Sequence, residues 1–313
     1  MKRALVTGAS GFVGAAVVRQ MVRQGRPVAV LLRPASDTRR IGDLLDRVQV
    51  IRGDIFRLGE VREAVAAFAP EGVVHLAWEG VRGSDRNNVD QAKNVGAAIE
   101  LYLLTEALGA ARFVGVGSQA EYGPQSGRIR EDAPLAPTTV YGAAKLAVCV
   151  LLERMAVVSG RSFAWLRLFS SYGPGDDPSW LIPYLVRRLL LGERPALTAA
   201  DQRWDFLHVE DVARAVIATL DCDVSGVFNL GSGEARPLRE VITFIRDYID
   251  PSLPLGFGEV QYRADQVMHL EADISALTRA TGFVPAVPLA DGVRGVVDHL
   301  RGDLGLGDPS RRA

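Results

Sequence analysis

Residues 4–14 read ALVTGASGFVG: a short apolar run passes straight into three glycines spaced GxxGxxG and then into helix-like sequence. A strand that ends this way presents free backbone N–H groups at a helix N-terminus. Side chains at the glycine positions would keep an anion such as a dinucleotide diphosphate from approaching them. Gly8, Ser10, Gly11, Phe12, Val13 and Gly14 are therefore the first candidate cofactor contacts. A bare glycine string specifies little; at the first strand-to-helix turn of an alternating chain it specifies a binding loop.

The alternation is present. Further apolar runs fall at 28–32, 48–51, 72–76, 112–117 and 163–168, separated by amphipathic stretches at 12–24, 58–68, 88–108 and 140–159. The runs are rich in Val, Leu, Ile and Phe with little polar alternation, as in strands covered on both faces, and such order implies βαβ crossovers. The expected class is α/β: a Rossmann-type doubly wound parallel sheet with a smaller C-terminal α/β substrate lobe. The dinucleotide-binding part is placed at 1–170, with 204–232 returning to it, the substrate lobe at 171–203 and 233–301, and a frayed tail at 302–313. YGPGDDP at 172–178 marks the change of pattern, and helix-like segments follow near 179–191, 209–221, 237–249 and 289–301.

Composition excludes some partners. With 36 basic and 37 acidic side chains the net charge is −1, which gives no electrostatic footing for nucleic acid or an anionic membrane. No run is long and apolar enough to span a bilayer, and the N-terminal stretch is broken by glycine where a signal peptide is continuous. A cytoplasmic protein is expected, with Cys149 and Cys222 as buried free thiols. His208 and His269 lack metal-ligand spacing and read as structural, so no metal site is expected.

Several single residues carry chemistry. Arg33 closes the second strand where an acidic residue would bond the 2′-hydroxyl of NAD; a cation there suits the 2′-phosphate of NADP, with Arg39 and Arg40 in reach. Asp54, after the third strand, either accepts from an adenine amino group beside Ile55 or caps the next helix. YGAAK places Tyr141 and Lys145 four apart on one helix face, where an ammonium favours the phenolate. Ser118 ends the fifth strand on the ligand side of such a sheet, either sharing a substrate oxygen with Tyr141 or serving as a cap.

Taken together, TGASGFVG, RGDI, VVHLAW, Asn94-Val95-Gly96, GSQAEYG, YGAAK, LRLFSSYGPG, DQRWDFLHVEDVA and FNLGSG resemble, in order, the extended short-chain dehydrogenase/reductases, the epimerase/dehydratase group. The resemblance covers Ala4 to about Gly295. It implies a catalytic triad of Ser118, Tyr141 and Lys145, cofactor contacts at Leu76 and Ala77 beside His75, and Asn94 either facing the site or tying the sheet together. It implies a homodimer through the helices near 88–108 and 140–159. Gln119, Glu121, Tyr122, Ser170, Ser171, Trp180, Arg203 and Arg263 are the implied substrate contacts, Trp180 alternatively being core. Departures narrow the activity. Gln119 and Ala120 stand where 4,6-dehydratases carry an Asp-Glu pair, neither cysteine matches the C3/C5 epimerases, Trp78 replaces a common alanine, and Trp204 a frequent arginine. The expectation is NADPH-dependent reduction of a dTDP- or CDP-linked 4-keto-6-deoxyhexose; a 4-epimerase with tightly held NAD is the alternative.

Overall fold

The computed structural model describes residues 2–262 and 266–306. In chain order the strands are β1 (Ala4–Thr7), β2 (Val28–Leu32), β3 (Gln49–Arg52), β4 (Gly72–His75), β5 (Arg112–Ser118), β6 (Arg128–Ile129), β7 (Ser162–Leu168), β8 (Ser170–Tyr172), β9 (Arg203–His208), β10 (Gly226–Leu230), β11 (Ala235–Pro237) and β12 (His269–Ala272). The helices are α1 (Phe12–Arg23), α2 (Arg62–Phe68), α3 (Gln91–Ala107), α4 (Val140–Ser159), α5 (Leu181–Leu190), α6 (Val209–Asp221), α7 (Leu238–Ile249), α8 (Ser275–Thr281) and α9 (Leu289–Asp303).

Seven parallel strands form the main sheet in the order β3-β2-β1-β4-β5-β7-β10. Strands β1, β2 and β4 are buried along their whole length because helices cover both faces, which explains their unbroken aliphatic sequence. One face buries Val6, Val30 and Val74 with Val17, Met21 and Val216 from α1 and α6; the other buries Leu5, Val73 and Phe113 with Leu101 and Leu152 from α3 and α4. The order reverses between β1 and β4, so the crevice opens at Thr7 and His75, where doubly wound sheets bind ligands. This is the expected Rossmann-type sheet.

The glycine loop is held by close backbone approach. Gly8 has φ +72°, and a Cβ there would lie 2.6 Å from the Ala77 nitrogen. Gly14, one turn into α1, packs onto the Gly8 carbonyl with no room for a methyl group. These two glycines lock β1, α1 and the segment after β4 together.

A second sheet, β11-β9-β12-β6 with β8 beside β9, packs with α5, α7 and α9 around Leu185, Val186, Ile242, Ile245 and Val296. Here the structure departs from expectation. The WDFLHV segment is β9 of this second sheet, and only α6 and β10 return to the main one. The expected helix at 58–68 begins as a 3-10 turn, because Arg57 leaves helical geometry at φ −142°, ψ 51°, and α2 proper starts at Arg62. Helix α9 runs on to Asp303, into the expected tail, whose last seven residues lie outside the described ones.

Candidate active site

Helix α4 starts at a Thr139 N-cap whose hydroxyl accepts from Gly142 N at 3.1 Å, which sets the direction of Tyr141 and Lys145 one and two turns in. Both are buried. Ser118, at the end of β5, is the N-cap of a single 3-10 turn: its hydroxyl accepts from Ala120 N at 3.2 Å, while Glu121 folds back to accept from Ser118 N at 2.8 Å. Burial raises the Tyr141 phenol; the neighbouring Ser118 hydroxyl, then the Arg86 guanidinium, pull it back down. The three residues expected to act together are thus brought to one place.

Lys145 has a further constraint. Its Nζ donates to the Val116 carbonyl at 2.7 Å and lies 3.8 Å from the Trp78 ring centroid. Burial pushes it down to about 7, so its charge is labile near neutrality. Below it, His75 is held neutral, at about 3, by the same burial, and its Nδ1 is paired with the Thr7 hydroxyl at 2.9 Å.

A cleft of about 250 Å³ runs over the glycine loop. Gly8, Ser10, Gly11, Arg33, Ile55, Leu76, Ala77 and Asn94 line it, with Trp78 and Glu79. The fit to a dinucleotide rests on Gly8 and Gly14, whose missing side chains let the loop and the α1 N-terminus form one concave surface. The Phe12 side chain lines a separate basic groove along the outside of α1 and that of Val13 packs on the core, while their backbone N–H groups belong to the α1 N-terminus; Gly14 serves helix-to-loop packing. Asp54 caps the following turn, its Oδ1 accepting from Phe56 N at 3.0 Å. Asn94 both faces the cleft and ties it together, accepting from Glu79 N at 2.9 Å and donating to Glu79 O at 3.1 Å. Arg33 pairs with Glu79 across the cleft; Arg39 is engaged by Asp37, and Arg40 turns away to the Gly175 carbonyl.

Beside the end of β5, whose Ser118 pairs in register with Leu168 of β7, a second cavity of about 380 Å³ opens from Ser170 and Ser171 into the second sheet. Trp180, Tyr184, Trp204 and Phe206 give it an aromatic lining, and among the described residues no lysine or arginine lines it. Trp180 is 47% exposed at this cavity and so is not a core residue. Asp176 is its one carboxyl among the described residues, raised by burial to about 7.

Four expected substrate contacts need correction or restriction. Glu121 is fully buried and bonded to Ser118 N, to Trp165 Nε1 at 2.9 Å and to Arg167 Nε at 2.8 Å. Tyr122 is equally buried, its hydroxyl donating to Asn229 at 2.6 Å, and burial raises it to about 12. Neither can meet a substrate. Arg203 alternates out of the cavity that Gln202 and Trp204 line, and donates to the Ala235 carbonyl at 2.6 Å. Arg263 lies outside the described residues. Gln119 remains half-buried beside Ser118. Cys149 is buried, Cys222 half-buried at the end of α6, and both are free. His208 caps α6 and His269 bonds Glu271 at 2.8 Å. Sequence reading missed Glu79, Arg86 and Asp176, which sit in polar loops without a motif.

Two outcomes follow from these groups. Glu121→Gln leaves the buried Arg167 guanidinium facing a neutral amide, so urea unfolding should show a loss of about 3–5 kcal/mol; a loss below about 1 kcal/mol contradicts the assigned role. The Asp176 carboxyl, raised from 3.8 to about 7, binds a proton in the folded state that the unfolded chain has released, so its contribution to stability falls as pH rises through that window. Asp176→Asn therefore melts above wild type at about pH 8 and level with it near pH 4; a pH-independent difference contradicts this.

Residues 4–231 match the NAD dependent epimerase/dehydratase family. The chain is 30% identical over 309 residues to a dTDP-glucose 4,6-dehydratase of Streptomyces griseus, covering 94% of this chain and 92% of that protein. It is 27% identical over 284 residues to a CDP-abequose synthase of Salmonella muenchen, covering 89% and 91%. Among solved structures, a Thermus thermophilus UDP-glucose 4-epimerase in complex with NAD superposes with a TM-score of 0.84 at 27% identity, covering 96% of this chain and 99% of that one. The glycine loop, the Ser118–Tyr141–Lys145 grouping and these similarities lead to one conclusion: the chain belongs to the NAD dependent epimerase/dehydratase family, the extended short-chain dehydrogenase/reductases.

Proposed function

We propose that this protein modifies a nucleotide-linked sugar and, specifically, reduces the 4-keto group of a dTDP- or CDP-linked 4-keto-6-deoxyhexose with NADPH. The reading is supported by Trp78, which lines the glycine-loop cleft and meets the Tyr141 ring, and by Ser118, which pairs in register with Leu168 two residues before Ser170 of the aromatic cavity. A dinucleotide held along Gly8 and Gly11 and a sugar nucleotide entering past Ser170 would be brought together near the Ser118 and Tyr141 hydroxyls. Gly8, Ser10, Gly11, Arg33, Ile55, Leu76 and Ala77 would hold the dinucleotide, which supplies hydride when bound. Ser118 polarises the carbonyl and Tyr141 gives its proton to the oxygen as the carbon accepts the hydride pair, leaving an alcohol and a phenolate. Lys145, held by the Val116 carbonyl and the Trp78 face, would have to leave them to reach the nicotinamide ribose. Ser170, Ser171 and Trp180 would contact the substrate, Trp180 presenting an indole face to the base.

Dehydration is disfavoured by the turn after β5. Gln119 and Ala120 offer no acid there, and the carboxylate of Glu121 is sealed against Arg167. The second reading, a 4-epimerase that keeps its NAD, draws support from one contact: Glu79 already neutralises Arg33, the residue that would take the 2′-phosphate. Net cofactor oxidation separates the two readings, since an epimerase returns its hydride. Against a panel of dTDP- and CDP-4-keto-6-deoxyhexoses, the wild type should consume NADPH stoichiometrically, and Tyr141→Phe should lose at least about a hundredfold in rate with dinucleotide affinity kept. Turnover of UDP-sugars without cofactor consumption overturns the reductase assignment.

The same reading includes a homodimer through α3 and α4. Leu103, Val150, Val157 and Val158 are 47%, 50%, 71% and 89% exposed on these two helices, an apolar surface suited to a second copy of itself. Light scattering should give twice the monomer mass, falling to the monomer in Val150→Glu; a monomeric wild type excludes the pairing.

A further inference from the structure

Within the turn Gly83–Asn87, the Arg86 guanidinium lies 4.5 Å from the centroid of the Tyr141 ring. The position is built, because the loop is fastened at both ends. Asn87 Oδ1 accepts from Val140 N at 3.2 Å, docking the loop onto the first turn of α4 immediately before Tyr141. At the loop's base the buried Gln91 amide donates to Gly80 O at 2.7 Å and to Asp85 O at 3.0 Å, while its oxygen accepts from Trp78 Nε1 at 2.7 Å. Trp78 in turn meets the Tyr141 ring edge-on, with centroids 6.1 Å apart and planes at 86°. The phenol is clamped between a cation over its face and an indole at its edge.

Lys145, on the same helix, is farther from this ring than its sequence spacing suggests. Its Nζ is 6.0 Å from the Tyr141 centroid and is engaged by the Val116 carbonyl and the Trp78 face. The other groups facing the phenol are the Ser118 hydroxyl and, through the turn after β5, the Glu121 carboxylate, which disfavours phenolate but is spent on Arg167. His75, next to Lys145, is neutral.

We propose that Arg86, seated on the Tyr141 ring by the docking of its loop on α4, is a positioning residue for the proton-transfer step, supplying the positive charge that faces the phenolate while Lys145 is committed to Val116 and Trp78. The proposal deepens the reading of Tyr141 as proton donor and rests on it. When Tyr141 releases its proton to the carbonyl oxygen, the phenolate gains a full negative charge whose attraction to a guanidinium at this distance exceeds that of the neutral ring. The same guanidinium draws the phenol down against the burial that raises it.

The test needs no sugar substrate. In the full-length protein saturated with oxidised dinucleotide, the phenolate absorbance of Tyr141 near 295 nm is isolated by subtracting the Tyr141→Phe variant at each pH. Arg86→Leu should raise the midpoint by about one pH unit, and Arg86→Lys, which keeps the charge, should stay within about half a unit of wild type. Arg86→Gln serves if the leucine variant fails to fold, and Asn87→Ala, which releases the loop, should move the midpoint in the same direction. An unmoved midpoint in folded charge-removed variants, or lysine behaving like leucine, overturns the proposal. Failure to turn over any ketosugar with the midpoint still shifting removes the proposed reaction and leaves the Arg86 assignment standing.

Discussion

The arrangement depends on one buried carboxylate. Glu121 has no exposed surface, yet its two oxygens accept from the Ser118 amide, the Trp165 indole and the Arg167 guanidinium. A charge in that position is tolerable only because each bond compensates for lost water. The cost is met by geometry. The capping turn cannot unwind without exposing the ion pair to apolar surroundings, so Ser118 is fixed at the end of β5, opposite the helix that carries Tyr141. The same carboxylate adds a negative potential that opposes phenolate formation, which places greater demand on the cations around Tyr141.

Around that fixed point the molecule divides its recognition between two unlike spaces. The cleft over the glycine loop offers backbone and the Arg33–Glu79 pair, while the cavity beside the second sheet offers aromatic faces, hydroxyls and the Asp176 carboxyl. Trp78 lines the cleft and meets both Tyr141 and Lys145. An alanine at that position would leave the lysine ammonium open to the cleft; the indole covers it.

Much of this was legible in the sequence, for identifiable reasons. Strands buried on both faces must be apolar throughout, so β1, β2, β4, β5 and β7 show as continuous runs. The glycine loop is legible because its close backbone approach admits no side chain. Other residues were misplaced because adjacency along a chain does not give direction. Glu121 and Tyr122 follow Ser118 and read as substrate contacts, yet a 3-10 turn swings them into the core; the S-x-x-E spacing of Ser118 to Glu121 is the signal of that capping box. Likewise, strand alternation sends Gln202, Trp204 and Phe206 into the cavity and Arg203 away from it. The seating of Arg86 over Tyr141 joins a polar loop to a helix more than fifty residues later in the chain, and no local pattern encodes such a contact.

The proposed reaction moves hydride from the cofactor for good to carbon 4 of the sugar, with Tyr141 supplying the proton. It is tested most directly by supplying NADPH carrying deuterium at the transferable C4 position and examining the sugar product by NMR. The account predicts deuterium at carbon 4 of the product, one atom per NADPH oxidised. Sugar turned over with no deuterium at that carbon, or with the label returned to the dinucleotide, would contradict it.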